Sequence, residues 1–192
     1  FVEVPAGRDI EAGVAASGST GPDEIIASQT LTFDAETAHT VVANGVLDPS
    51  AFAERPDGEP IDFSFFVDPD ADTSAAPGTV DFRAVHGATD APTVDIVDNG
   101  AILFGELTYG NVTPDYRSTT AEKRVLTVTP SDADTSIAAF RTDLSGLSGT
   151  GATMLASGFL DPASNQDGPA FRLLAAQPTG EVFTVSPNRS PA

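Results

Sequence analysis

His86, Asp90, Pro92 and Asp95 crowd one stretch, "FRAVHGATDAPTVDIV" (residues 82–97). A histidine with two carboxylates close by is the raw material of an acid–base pair or a metal site. A metal normally takes a third and a fourth protein ligand, and His39 is the only other imidazole in the chain. The same residue types also make a turn. There His86 ends a strand, Asp90 accepts from backbone N–H groups, Pro92 sets the bend, and Asp95 points outward from the next strand. The flanking alternating runs favour this turn over the catalytic or metal arrangement.

A second group is "DPDADTS" (residues 68–74), with carboxylates alternating at Asp68, Asp70 and Asp72. Such spacing resembles the opening of a calcium loop. The EF-hand form needs Gly at its sixth position and Glu at its twelfth. Thr73 and Thr79 stand there, so that form is excluded. A looser calcium site remains as the one cofactor expectation, set against a solvated acidic segment. The run "GLSGTG" (residues 146–151) lacks the lysine and following helix of a phosphate loop, and reads as a strand connection. No Gly-x-Ser-x-Gly elbow occurs, and the absence of cysteine excludes a disulfide framework and a thiolate metal site.

The elements that must position these residues are short strands. "QTLTF", "HTVVANGVL", "IDFSFFV", "VDFRAVH", "TVDIV", "RVLTVTP", "TSIAAFRTDL" and "TMLASGFL" alternate or run apolar, with Gly, Pro, Asn and Asp clusters between them. No sustained helical stripe is present, and "DPSAFAERPDGEP" (residues 48–60) has room for one turn before Pro56 and Gly58 stop it. The pattern predicts an all-β chain of sandwich type.

A repeat organises these strands. "VVANGVLDP" (residues 41–49) matches "MLASGFLDP" (residues 154–162), and "FVEVPAGRDIEAGV" from Phe1 matches "YRSTTAEKRVLTV" from Tyr116. Two tandem immunoglobulin-like β-sandwich modules follow: residues 1–70, an acidic linker over 71–78, and residues 79–192. The second copy has strands ahead of Tyr116 for which the first has no counterpart, so the first module is expected to lack its N-terminal strands. Near the other end, "AFRLLAAQPTGEVFTV" (residues 170–185) resembles residues 81–97. Phe171, Leu173, Val182 and Val185 are therefore candidate strand-donor residues. The alternative is that residues 171–175 simply close the second module, as residues 61–67 close the first.

The net charge of −19 comes from 28 acidic residues against 9 basic ones, with Lys123 the sole lysine. That balance repels nucleic acid and anionic membranes, and it fits adaptation to high salt, where carboxylate repulsion is screened. No apolar run reaches the length of a membrane span, so no membrane insertion is expected.

His86, Asp90, Ala91, Pro92, Val94 and Asp95, with the later "FVEVPAG", resemble the signature of the secreted prokaryotic domain-of-unknown-function 4397 family, roughly His-x-x-Pro-Asp-Ala-Pro-x-Val-Asp-Val. Tyr109-Gly110 fits its aromatic-Gly pair. Thr89 replaces the proline before Asp90, and residues 116–121 keep little of the later strand. The resemblance implies tandem β-sandwiches on exported or cell-surface proteins with no established activity.

The expected function is that of a non-enzymatic structural subunit of an extracellular or cell-surface filament or stalk. Its partners would be copies of itself packed head-to-tail, or joined by strand complementation. A glycan- or calcium-dependent adhesive module that contacts surface glycans is the alternative, and a secreted hydrolase the third. With Tyr109 and Tyr116 as the only tyrosines and no tryptophan, sugar-stacking platforms are scarce.

Overall fold

The computed structural model describes residues 2–133 and 135–185. Phe1, Asp134 and residues 186–192, which include the outer ends of both expected modules, lie outside the described residues. Among the described residues the chain is all-β, with single 3-10 turns as its only helical segments. One of these, Pro49–Ala51, is the short turn expected after Asp48, whose side chain caps it by accepting from Ser50 N–H.

The first unit holds β1 (Asp9–Ala15), β2 (Ile25–Thr32), β3 (Thr40–Asn44) and β4 (Ser64–Asp68). They form two separate antiparallel pairs, β1–β2 and β3–β4. The second unit holds β5 (Thr79–His86), β6 (Val94–Asp98), β7 (Ala101–Leu107), β8 (Arg117–Thr120), β9 (Lys123–Pro130), β10 (Ala138–Asp143), β11 (Thr150–Ser157), β12 (Arg172–Ala176) and β13 (Val182–Val185). These make a four-stranded sheet, β10-β9-β6-β7, and a five-stranded sheet, β13-β12-β11-β5-β8. Among the described residues β5 and β11 are the only pair of strands that run parallel.

Alternation explains why the second unit closes. Val80, Phe82 and Ala84 of β5 point one way and join Ala152, Met154 and Ala156 of β11, Leu173 and Ala175 of β12 and Val185 of β13. The opposite sheet contributes Val94, Ile96, Phe104, Leu126, Val128 and Phe140 to the same buried cluster. The turn from β6 to β7 is Asn99-Gly100, both at positive φ, the pairing that a two-residue hairpin demands.

The repeat seen in the sequence is also a repeat of structure. β3 and β11 each run into a glycine at positive φ, Gly45 and Gly158, and then a short parallel bridge, Val46 to Asp62 and Phe159 to Ala170. A Cβ on either glycine would come within 2.3 Å of the Asp62 carbonyl or 2.5 Å of the Ala170 carbonyl. A 3-10 turn follows in both copies, capped by Asp48 and by Asp161. Hairpin β1–β2 thus corresponds to β9–β10, and β3–β4 to β11–β12.

The copies differ in what surrounds these strands. Among the described residues the first unit shows no counterpart of β5, β6 or β7, and its buried apolar side chains are Leu31, Phe33, Val46 and Ile61. Phe171, Leu173, Val182 and Val185 sit in and beside the β12–β13 hairpin of the second unit's own sheet. Leu173 is paired to Val185, and both are buried. These residues therefore close the second unit, and none of them fills the open edge of the first in this chain. The expected linker over 71–78 is not simply solvated. Ala71 N–H donates to Ala38, Asp72 N–H to the Tyr116 hydroxyl, and Ala75 N–H to Gly149.

Candidate functional site: the contact between the two units

His86 ends β5 with no exposed surface. Its Nδ1 accepts from Ala88 N–H at 3.3 Å, so Nε2 carries the proton and donates to the Pro92 carbonyl at 2.8 Å. The imidazole thus ties the two ends of its own loop. Burial pushes its pKa below the usual histidine value, which keeps it neutral. It packs edge-on to Tyr109, 6.0 Å between ring centres.

Asp90 does not serve its own turn, as the sequence suggested. Its carboxylate accepts from Leu160 and Asp161 N–H, both at 2.9 Å, and from the Asn165 amide at 3.1 Å. It therefore clamps the loop after β11. Asn165, itself buried, passes the contact onward by accepting from Ala53 N–H of the first unit at 3.1 Å. Asp95 is half-buried rather than simply outward. Its Oδ1 accepts from Glu106 N–H and Ser131 Oγ, spanning the irregular pairing between β6 and β7. His86, Asp90 and Asp95 therefore do not converge.

Asp68 likewise leaves the expected calcium set. Its side chain is 1% exposed, ion-paired to Arg83 of β5, and accepts from the Tyr116 hydroxyl at 3.0 Å. Arg83 also donates to the Pro114 carbonyl at 2.8 Å and lies 4.5 Å over the Tyr116 ring. Asp70 and Asp72 stay exposed, and Asp70 N–H donates to Asp68. Arg83 already balances the charge of the Asp68 carboxylate. Among the described residues no cluster of three acidic or imidazole side chains is placed to hold a metal.

A matching post stands at the other tyrosine. Arg55, with a fully buried side chain, makes two hydrogen bonds to Asp57, at 2.7 and 2.5 Å, and lies 4.4 Å over the Tyr109 ring. The arginine holds the Asp57 carboxyl below its usual pKa, while burial raises both tyrosines. The Asn44 amide donates to the Gly87 carbonyl at 2.9 Å and accepts from Gly45 N–H and the Tyr109 hydroxyl, each at 3.0 Å. A Cβ on Gly87 would lie 2.5 Å from the end of the Asn44 side chain, which would have to shift. Phe52 and Phe159 stack across the two 3-10 turns with ring centres 5.6 Å apart.

Together these contacts lay one side of β3–β4 (Thr40, Asn44, Phe66, Asp68) on the outer side of β5 and β11 and the loops beside them. Val85 and Thr153, buried yet outside the second unit's core, are covered in this way. Arg83, Asn44 and Asn165 escaped the sequence reading because they meet partners far along the chain, and Arg55 because the Tyr109 ring over which it lies is equally distant. Beside Tyr109 opens a cleft of about 640 Å³, lined among others by Asp57, Glu59, Asp62, Phe63 and Phe66.

Among the described residues no helix is long and apolar enough to cross a membrane. No protein-family model matches the chain, and no curated protein matches it in sequence.

Proposed function

We propose that the chain is a structural subunit of an extracellular or cell-surface stalk or filament, made of tandem immunoglobulin-like β modules. One observation carries this reading: His86, Asp90, Asp68 and both tyrosines are spent on fastening loops and joining two β units. Their polar atoms are paired within the protein, which suits joining modules better than meeting a substrate. The resemblance to the secreted domain-of-unknown-function 4397 family and the acidic surface agree with an exported, salt-adapted protein. Copies following one another head-to-tail would extend the module packing that already exists within the chain.

The test is assembly and location. Electron microscopy of the purified chain in high salt, with antibody labelling of intact source cells, should find it in extended surface structures. Labelling confined to the cytoplasm, together with a monomer at every salt concentration, overturns the reading.

The cleft beside Tyr109 favours one second reading, an adhesive module for surface glycans, since aromatic rings and carboxylates line it together. Glycan-array binding abolished by Phe63→Ala would shift the conclusion to that reading.

A further inference from the structure

The first unit presents an apolar face and two strand edges that the second unit covers in itself. Asp9 and Glu11 point outward from β1, where Thr32 and Ser28 donate to them, so Ile10, Ala12 and Val14 share the opposite, inward side with Leu31. On β3–β4 the side away from the second unit carries Val41, Ala43, Phe65 and Val67. Gln29 of β2 accepts from Phe65 N–H and so joins the two hairpins. Yet Val41 is 39% exposed, and its counterpart Met154 is 1% exposed.

The second unit shows what belongs there. β5 lies between β11 and β8, and β6 lies on the edge of β9. Among the described residues nothing fills the equivalent slots of the first unit: β3 pairs only with β4, and β1 only with β2. Residues 2–5, the counterpart of β8, join no sheet, and Val2 is 86% exposed. They lack the strand that β8 has beside it.

We infer that this face is an acceptor for a three-strand segment of the β5–β7 type, supplied by polypeptide outside these 192 residues. The register follows from the repeat. Met154 pairs with Ala84 in parallel, so Val41 takes a small residue at the Ala84 position. Val128 pairs with Ile96, so Val14, its counterpart on β1, takes a β-branched one. A second copy of this chain is the wrong donor, because its own Val80, Ile96 and Phe104 are buried in its core, as are Leu173 and Val185 of its last hairpin. Withdrawing either would open one unit to close another. The inference deepens the assembly reading by naming the partner and rests on it only for biological context. Complementation can be observed whether or not filaments form.

The experiment compares hydrogen exchange, peptide by peptide, in three forms. One is the chain as it stands, and one carries a second copy of residues 79–115 joined directly ahead of Phe1. The third has the same extension with Val80→Asp, Phe82→Asp and Ile96→Asp in the added copy. The intact extension should slow exchange at residues 2–5, β1 and β3 by at least about tenfold, leave β9–β12 unchanged and keep the chain monomeric. The substituted extension should not. The intact segment added as a free polypeptide guards against a misfolded fusion. No slowing at β1 and β3 from either the fused or the free segment overturns the inference. So does an unextended chain that already protects these strands as a dimer.

Discussion

Asp68→Asn is the most direct probe of the contact between the units. It keeps the shape of the side chain and an acceptor for the Tyr116 hydroxyl, but removes the charge facing Arg83. The Asp68 side chain is 1% exposed and that of Arg83 11%, so water can only partly take over the guanidinium. Removing one member of a buried pair costs about 3–5 kcal/mol. The lower end applies here, since the Pro114 carbonyl and the Tyr116 ring still hold Arg83. We expect about 3 kcal/mol, a large share of the roughly 5–15 kcal/mol that holds a domain folded. The substitution also removes one negative charge from a chain at −19, which would stabilise it, so a measured loss cannot come from net charge. Urea unfolding followed by tyrosine emission is the assay. The chain has no tryptophan, and both tyrosines lie at the contact. Arg83→Met alone should cost a similar amount, and the double variant less than the sum of the two by about 2 kcal/mol. Single costs under about 1 kcal/mol that simply add would mean the pair behaves like a solvated surface bridge, and the locked contact would be refuted.

The buried His86 should make stability depend on pH. Its folded pKa lies below the usual 6.5, so the unfolded chain takes up the proton first, and stability should fall as pH drops below 6.5. Denaturant midpoints at pH 7 and pH 5 should show this fall, and His86→Gln should flatten it while lowering stability at both. Gly158→Ala forces a Cβ to 2.5 Å from the Ala170 carbonyl at φ 82, whereas Gly180, at φ 86, has open space around it. Thermal melts should show Gly180→Ala costing about 1 kcal/mol and Gly158→Ala clearly more. The net charge of −19 should raise the melting temperature with added sodium chloride, and a flat salt series would sink the adaptation to high salt.

The all-β character was legible in the sequence because period-two alternation and turn residues are local signals. "VDFRAVH" already encodes which side of β5 faces the second unit's core, and Asn99-Gly100 encodes the β6–β7 hairpin. The repeat was legible too, down to the glycine and the capping aspartate after β3 and β11. What the side chains at the centre do was decided only by tertiary structure. Asp68 reads as a ligand within "DPDADTS", yet it answers to Arg83 on the neighbouring strand. Asp90 reads as a turn residue, yet it holds a loop 70 residues away. Residues 170–185 resemble a donor strand, yet β12 is paired to β11 and β13 to β12. Local spacing shows which atoms can donate or accept. Their partners are fixed by how two sheets and two units pack, and that depends on burial summed over residues far apart in the chain.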